Sequence, residues 1–225
     1  MRAATIARWW AMDYGAAIRW QVGPLLRHHD PADYLRGRPG LRDVVVLPGI
    51  WETWRFMLPI VERLHRAGHP VHAVTALRQN AATVDASADV VAGYLADHGL
   101  EDVLVVAHSK GGLIGKALML RDDSGPRIRK MLAISTPFSG SVYARFLLLP
   151  SLRAFAPDDP TTLRLAADRH VDARITSVWA AFDPHIPGGS MLPGATNRRI
   201  DDGGHFRILR NPAVLAEVDR FAASP

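Results

Sequence analysis

One serine in this chain sits where a nucleophile would have to sit. Residues 107–112 read AHSKGG, between an apolar run, DVLVV, and a helix-like stretch, LIGKALML. A serine hydroxyl is a weak nucleophile and must be exposed, aligned and deprotonated by a neighbouring base. A sharp strand-to-helix turn meets the first two needs, and only small residues fit two positions to either side of such a serine. Ala107 and Gly111 flank Ser109 in this way, giving a G-x-S-x-G pattern with alanine for its first glycine. The helix that follows would aim unpaired amides at any oxygen turning negative near Ser109, the Lys110 N–H among them.

A five-residue pattern of this kind needs partners, and three stretches supply them. In LPGIWETW (47–54), Gly49 permits a tight turn after an apolar run and presents the Ile50 N–H as a second oxyanion donor. In DPHIP, Asp183 follows the run RITSVWAAF and can orient an imidazole; in DDGGHFRIL, His205 follows ATNRRI and can act as the base. The order Ser109, Asp183, His205 is that of one of the convergent serine-hydrolase solutions. His205 would take the serine proton and return it to the leaving group, with Asp183 steadying the charged ring. Asp201 and Asp202 stand as alternative acids, close to His205 in sequence. His108 adjoins Ser109, but successive positions at a turn point apart, which suits a structural role. Trp51, Phe138 and His185 are candidates for the substrate pocket. The other histidines are spread along the chain, so no metal site is expected.

These residues need a scaffold that collects loops at one rim. Short apolar runs recur at 43–47, 70–74, 102–107, 128–134, 174–182 and, more weakly, 195–200. Continuous apolarity over such lengths suits strands buried on both faces, as in a parallel sheet. Helical patterns alternate with them at 52–67, where Pro59 must bend or interrupt the helix, at 83–98, from about Ser109 to Arg121, and at 212–222. Alternating strand and helix predicts an α/β fold of βαβ units with helices on both faces. Residues 137–173 break the rhythm with Pro137, Pro150, Pro157 and Pro160, and read as an insertion covering the crevice, a short lid carrying Phe138, Phe146, Leu147, Leu148 and Leu149.

Composition narrows the classes of function. The 225 residues, 48% hydrophobic and 22% charged, describe an ordinary globular chain. No cysteine is present, which removes disulfides, thiol nucleophiles and Cys-ligated zinc. The net charge of +5 comes from scattered arginines, with Lys110, Lys116 and Lys130 the only lysines, so no basic cluster points to nucleic acid. No apolar run is long enough to span a membrane, and Arg8, Asp13 and Arg19 break the N-terminal stretch before it reaches signal-peptide length, so a cytoplasmic protein is expected. Within residues 1–38, Trp9, Trp10 and Trp20 stand beside Arg2, Arg8, Arg19 and Arg27. That composition suits an amphipathic helix in peripheral contact with a membrane surface. Asp13, falling among the tryptophans on a helical projection, favours instead a helix packed on the domain or on a second subunit. The oligomeric state is left open.

From about Leu41 to the C-terminus the chain resembles the α/β-hydrolase superfamily, and within it the small lipase and esterase branch. LPGIWE, AHSKGG, STPFSGS (135–141), DPHIP and GGHFRIL carry the likeness in order. STPFSGS is similar to the TPH-x-GS stretch of triacylglycerol lipases, with Phe138 in place of the usual histidine. Pro48 stands where these enzymes usually have histidine, and Ala107 replaces the first elbow glycine. The resemblance implies residues 39–225 as a hydrolase domain with a reduced, mostly parallel sheet of about six strands. It also implies hydrolysis of lipophilic carboxylic esters, or of lipids, through an acyl-enzyme that needs no cofactor. Acyl transfer or thioester hydrolysis on the same three residues, and a non-catalytic scaffold at a membrane or partner surface, are the alternatives.

Overall fold

The structure, a computed structural model, describes residues 3–22, 29–121, 127–146 and 150–224. Helix α1 (Ala3–Val22) comes first, followed by β1 (Val44–Leu47), α2 (Leu58–Ala67), β2 (Val71–Ala73), α3 (Val84–Asp97), β3 (Val103–His108) and α4 (Lys110–Leu120). Then come β4 (Ile128–Ile134), α5 (Pro150–Arg153), α6 (Pro160–Ala167), β5 (Ile175–Phe182), β6 (Thr196–Gly203) and α7 (Pro212–Ala223). Among the described residues the sheet has six strands in the order β2-β1-β3-β4-β5-β6, and every pairing is parallel. No helix among the described residues is long and apolar enough to cross a membrane.

Burial explains which runs became strands. All of β1, β2 and β3 is buried, as continuous apolar runs covered on both faces must be. One face packs against α3, α4 and the insertion through a cluster including Val45, Val105, Ile114 and Met131. The other packs against α2 and α7 through Val46, Ile60, Leu104 and Val218. The edge strand β6 is exposed or half-buried until Gly203 and carries the exposed Arg198 and Arg199, which explains its weaker apolar pattern.

One expectation is corrected in detail. Residues 52–67 do not form one helix bent at Pro59. A short turn over Trp54–Met57 precedes α2, and Pro59 falls in its first turn, where a missing N–H costs nothing. Helix α1 packs on the face lined by α2 and α7, with Ala16 and Ala17 against that core and Asp13 fully buried. Arg2, Arg27, Leu147, Leu148 and Leu149 lie outside the described residues.

Candidate active site

The parallel sheet brings four loops together at its carboxyl edge: those after β1, β3, β5 and β6, which carry Ile50, Ser109, Asp183 and His205. Ser109 stands between β3 and α4 with φ 51 and ψ −120, a positive-φ conformation that a serine adopts only when its surroundings enforce it. The enforcement is visible around it. Ala107 is fully buried, a Cβ on Gly111 would stand 2.1 Å from the Leu47 carbonyl oxygen, and one on Gly112 would stand 2.0 Å from Thr136 Oγ1. The helix can therefore start this close to β1 and β4 only because both positions lack a side chain.

Distant in sequence, three side chains meet in a line. Ser109 Oγ lies 3.0 Å from His205 Nε2, and His205 Nδ1 lies 2.8 Å from Asp183 Oδ2. Asp183 and His205 are almost wholly buried, and Asp183 Oδ1 also accepts the N–H groups of His185 and Ile186 at 2.8 and 3.0 Å. Burial alone would raise the Asp183 carboxyl, but the His205 imidazole and those two amides outweigh it and hold the group below the ordinary carboxylate range. Burial likewise opposes charging His205, yet Asp183, its hydrogen bond, and the more distant Glu52 and Asp13 lift it above the ordinary imidazole value. Asp202 faces elsewhere: it binds the Arg207 guanidinium at 2.9 and 3.0 Å and the Asn211 amide at 2.7 Å.

The turn after β1 is held by a carboxylate. Gly49 N–H donates to Glu52 Oε2 at 2.7 Å, and a Cβ on Gly49 would strike that carboxylate at 2.9 Å. The same oxygen lies 2.9 Å from His108 Nδ1, and His108 Nε2 lies 3.0 Å from the His205 carbonyl oxygen. His108 is fully buried and thus braces the loops carrying Gly49 and His205, in line with the structural role its position at the turn suggests. On the far side, Lys110 Nζ reaches the Asn80 carbonyl at 2.8 Å and Asn80 Oδ1 at 3.1 Å, while Asn80 Nδ2 donates to the Pro48 carbonyl at 2.7 Å. The Lys110 side chain is therefore turned away from the serine, and burial pushes its ammonium down to about 8. Its backbone N–H, at the first residue of α4, is among the amides that a helix leaves unpaired.

A cavity of about 640 Å³ opens over Ser109 and His205. Its walls come from Ile50, Trp51 and Glu52, from Pro137, Ser141, Tyr143, Ala144, Leu152 and Phe155 of the insertion, from Pro184, His185, Ile186 and Phe206, and from Trp10 and Tyr14 of α1. His185 is pushed down to about 3 by burial, reinforced by His205, and so faces the cavity uncharged. Phe138, expected at the pocket wall, is instead 3% exposed within the core beside α4; Pro137 before it reaches the cavity. Asp13, Asn80 and the α1 aromatics carry no sequence motif for such a site, and Glu52 stands in LPGIWETW without an assigned part. The one signal was Asp13 itself, a lone carboxylate among tryptophans.

No family model matches the chain, and no curated protein matches it. Solved structures do. An extracellular α/β-hydrolase from a Paenibacillus species is 17% identical with a TM-score of 0.56, over 82% of this chain and 100% of that one. An enol-lactonase from Burkholderia xenovorans LB400 is 15% identical with a TM-score of 0.58, over 84% and 95%. A mature lipase from Bacillus licheniformis is 14% identical with a TM-score of 0.54, over 83% and 94%. The chain has the α/β-hydrolase fold in common with them.

Proposed function

We propose that this chain of α/β-hydrolase fold is a serine hydrolase that cleaves carboxylic esters bearing a lipophilic group. The observation that carries the reading is the buried line from Ser109 through His205 to Asp183, with contacts of 3.0 and 2.8 Å, opening on a cavity walled largely by apolar side chains. In the first half-reaction His205 Nε2 accepts the hydroxyl proton as Ser109 Oγ bonds to the acyl carbon. The Ile50 and Lys110 backbone N–H groups receive the developing oxyanion, each donor being worth on the order of 10²–10³ in rate. Collapse breaks the ester C–O bond, and the imidazolium returns its proton to the departing alcohol. The acyl group is left on Ser109. Water then adds to the acyl carbon while His205 takes its proton, and collapse releases the acid and regenerates the hydroxyl. Asp183 remains a carboxylate throughout, fixing the ring and offsetting its transient charge.

Leu152, Phe155, Ile186 and Phe206 along the cavity support a lipophilic acyl or alcohol group as the ligand. The reading is tested by purified protein assayed on p-nitrophenyl esters from acetate to palmitate beside Ser109→Ala. Turnover by the wild type, rising from acetate towards medium chains and lost in the variant, is expected. A wild type inert on the whole series would refute ester hydrolysis.

A further inference from the structure

The N-terminal helix meets the framework at one point of unusual chemistry. Asp13 is 0% exposed, and its carboxylate receives three successive backbone amides of the loop after β6. Oδ2 accepts the His205 N–H at 2.9 Å, and Oδ1 accepts those of Phe206 and Arg207, each also at 2.9 Å. A buried carboxylate is tolerated only where its charge is met by donors, and hydrogen bonds to a charged acceptor are roughly twice as strong as neutral ones. All three donors belong to the residue proposed as the base and its two successors.

The loop is shaped to receive this helix. A Cβ on Gly203 would stand 2.5 Å from the Trp9 ring, and one on Gly204 would stand 2.7 Å from Asp13 Oδ1. Gly203 thus leaves room for the Trp9 ring of α1, and Gly204 leaves room both for Asp13 and for Arg207, whose Cγ would stand 2.4 Å from such a Cβ. Gly204 also has φ +126, a conformation that other residues avoid. Trp9 packs on Phe182 at 5.1 Å, next to Asp183 in the chain. One and five helical positions further on, Trp10 and Tyr14 stack at 5.5 Å, stand 6.0 and 5.6 Å from His185, and line the cavity over Ser109.

We infer that α1 is a working part of the active site. Asp13 is a positioning residue that fixes His205 through its backbone, and the Trp10–Tyr14 pair forms one wall of the lipophilic pocket. The inference rests on the serine-hydrolase reading. Asp13 touches no reacting atom; its carboxylate sets where the imidazole stands relative to Ser109 Oγ, and a displacement of 1 Å at such a contact costs on the order of 10²-fold in rate.

The test compares wild type, Asp13→Asn, Asp13→Ala and Met12→Ala, the last an exposed position of the same helix. Hydrolysis of p-nitrophenyl butyrate and the rate of fluorophosphonate labelling are measured on protein that still unfolds cooperatively. In the Asp13 variants kcat and labelling rate should fall together on the order of 10²-fold while KM stays near the wild-type value, because base placement and not binding is lost. Met12→Ala should match wild type. An Asp13→Asn protein that is folded and turns over at the wild-type kcat overturns the inference. Hydrogen exchange on the wild type decides the matter even if both Asp13 variants fail to fold. The amides of residues 205–207 should be protected and should open together with those of α1. Exchange at open-loop rates, independent of α1, also overturns it. A wild type inert toward every ester and toward fluorophosphonate counts against the hydrolase reading, whereas the exchange pattern still reports on the docking of α1.

Discussion

At the scale of the residue, the pairing of His205 with Asp183 sets how the proposed activity depends on pH. His205 must be neutral to accept the serine proton, and its pKa is raised mainly by Asp183 against the effect of burial. The kcat/KM of the free enzyme should therefore rise with pH through a midpoint above the ordinary imidazole value of about 6.5. Asp183→Asn removes the largest raising influence, so the midpoint should move to lower pH while the plateau falls roughly 10⁴-fold. A midpoint that stays where it was would separate Asp183 from the relay. His185, held neutral down to about 3, should leave no second inflection in the working range. Ser109, Asp183 and His205 could be picked out in the sequence because each follows an apolar run at a strand end. Glu52 was part of a quoted motif without an assigned part. Its bonds to Gly49 and His108 exist only once the β1 and β3 ends stand side by side.

At the scale of the element, the turn at Ser109 depends on two glycines pressed against neighbouring strands. Gly111→Ala would place a methyl group 2.1 Å from the Leu47 carbonyl, which backbone cannot yield without moving α4 off β1. Overpacking of this kind costs about 1–3 kcal/mol, to be read as a lower urea midpoint at unchanged slope, with loss of ester turnover beyond what stability explains. A variant with wild-type midpoint and rate would show that the close approach is not needed. Strands and helices were legible from periodicity, because burial on both faces leaves an uninterrupted apolar run. The ends of elements were less so: Pro59 opens α2 instead of bending a longer helix, since nothing in the local pattern marks the short turn at Trp54–Met57. Phe138 was misplaced for a related reason. Pro137 and Phe138 lie beyond the end of β4, in a loop that carries no period from which to read which of them faces the cavity.

At the scale of the whole molecule, the helix that follows Ser109 is tied to the end of the insertion by a buried ion pair. Lys116 Nζ on α4 lies 2.6 Å from Asp172 Oδ1, with side chains 0% and 2% exposed. Asp172→Asn would leave the ammonium buried without its counter-charge and should cost roughly 3–5 kcal/mol, whereas Lys116→Met with Asp172→Leu should recover most of that loss. Chemical denaturation of the three proteins checks it; a single variant as stable as wild type would contradict a buried pair of ionised groups. The least legible feature of the chain was also a matter of the whole: Asp13 favoured a packed helix, but the residues that receive it, Gly203 to Arg207, lie at the opposite end of the sequence and could not be read as its partners. The central claim, that Ser109 is a nucleophile activated by His205, is tested most directly by mapping a fluorophosphonate adduct by mass spectrometry. The account predicts one adduct per chain, on the peptide containing Ser109, formed by the wild type and absent from Ser109→Ala and His205→Ala. An adduct on any other residue, or labelling of Ser109 that persists undiminished without the His205 imidazole, would contradict it.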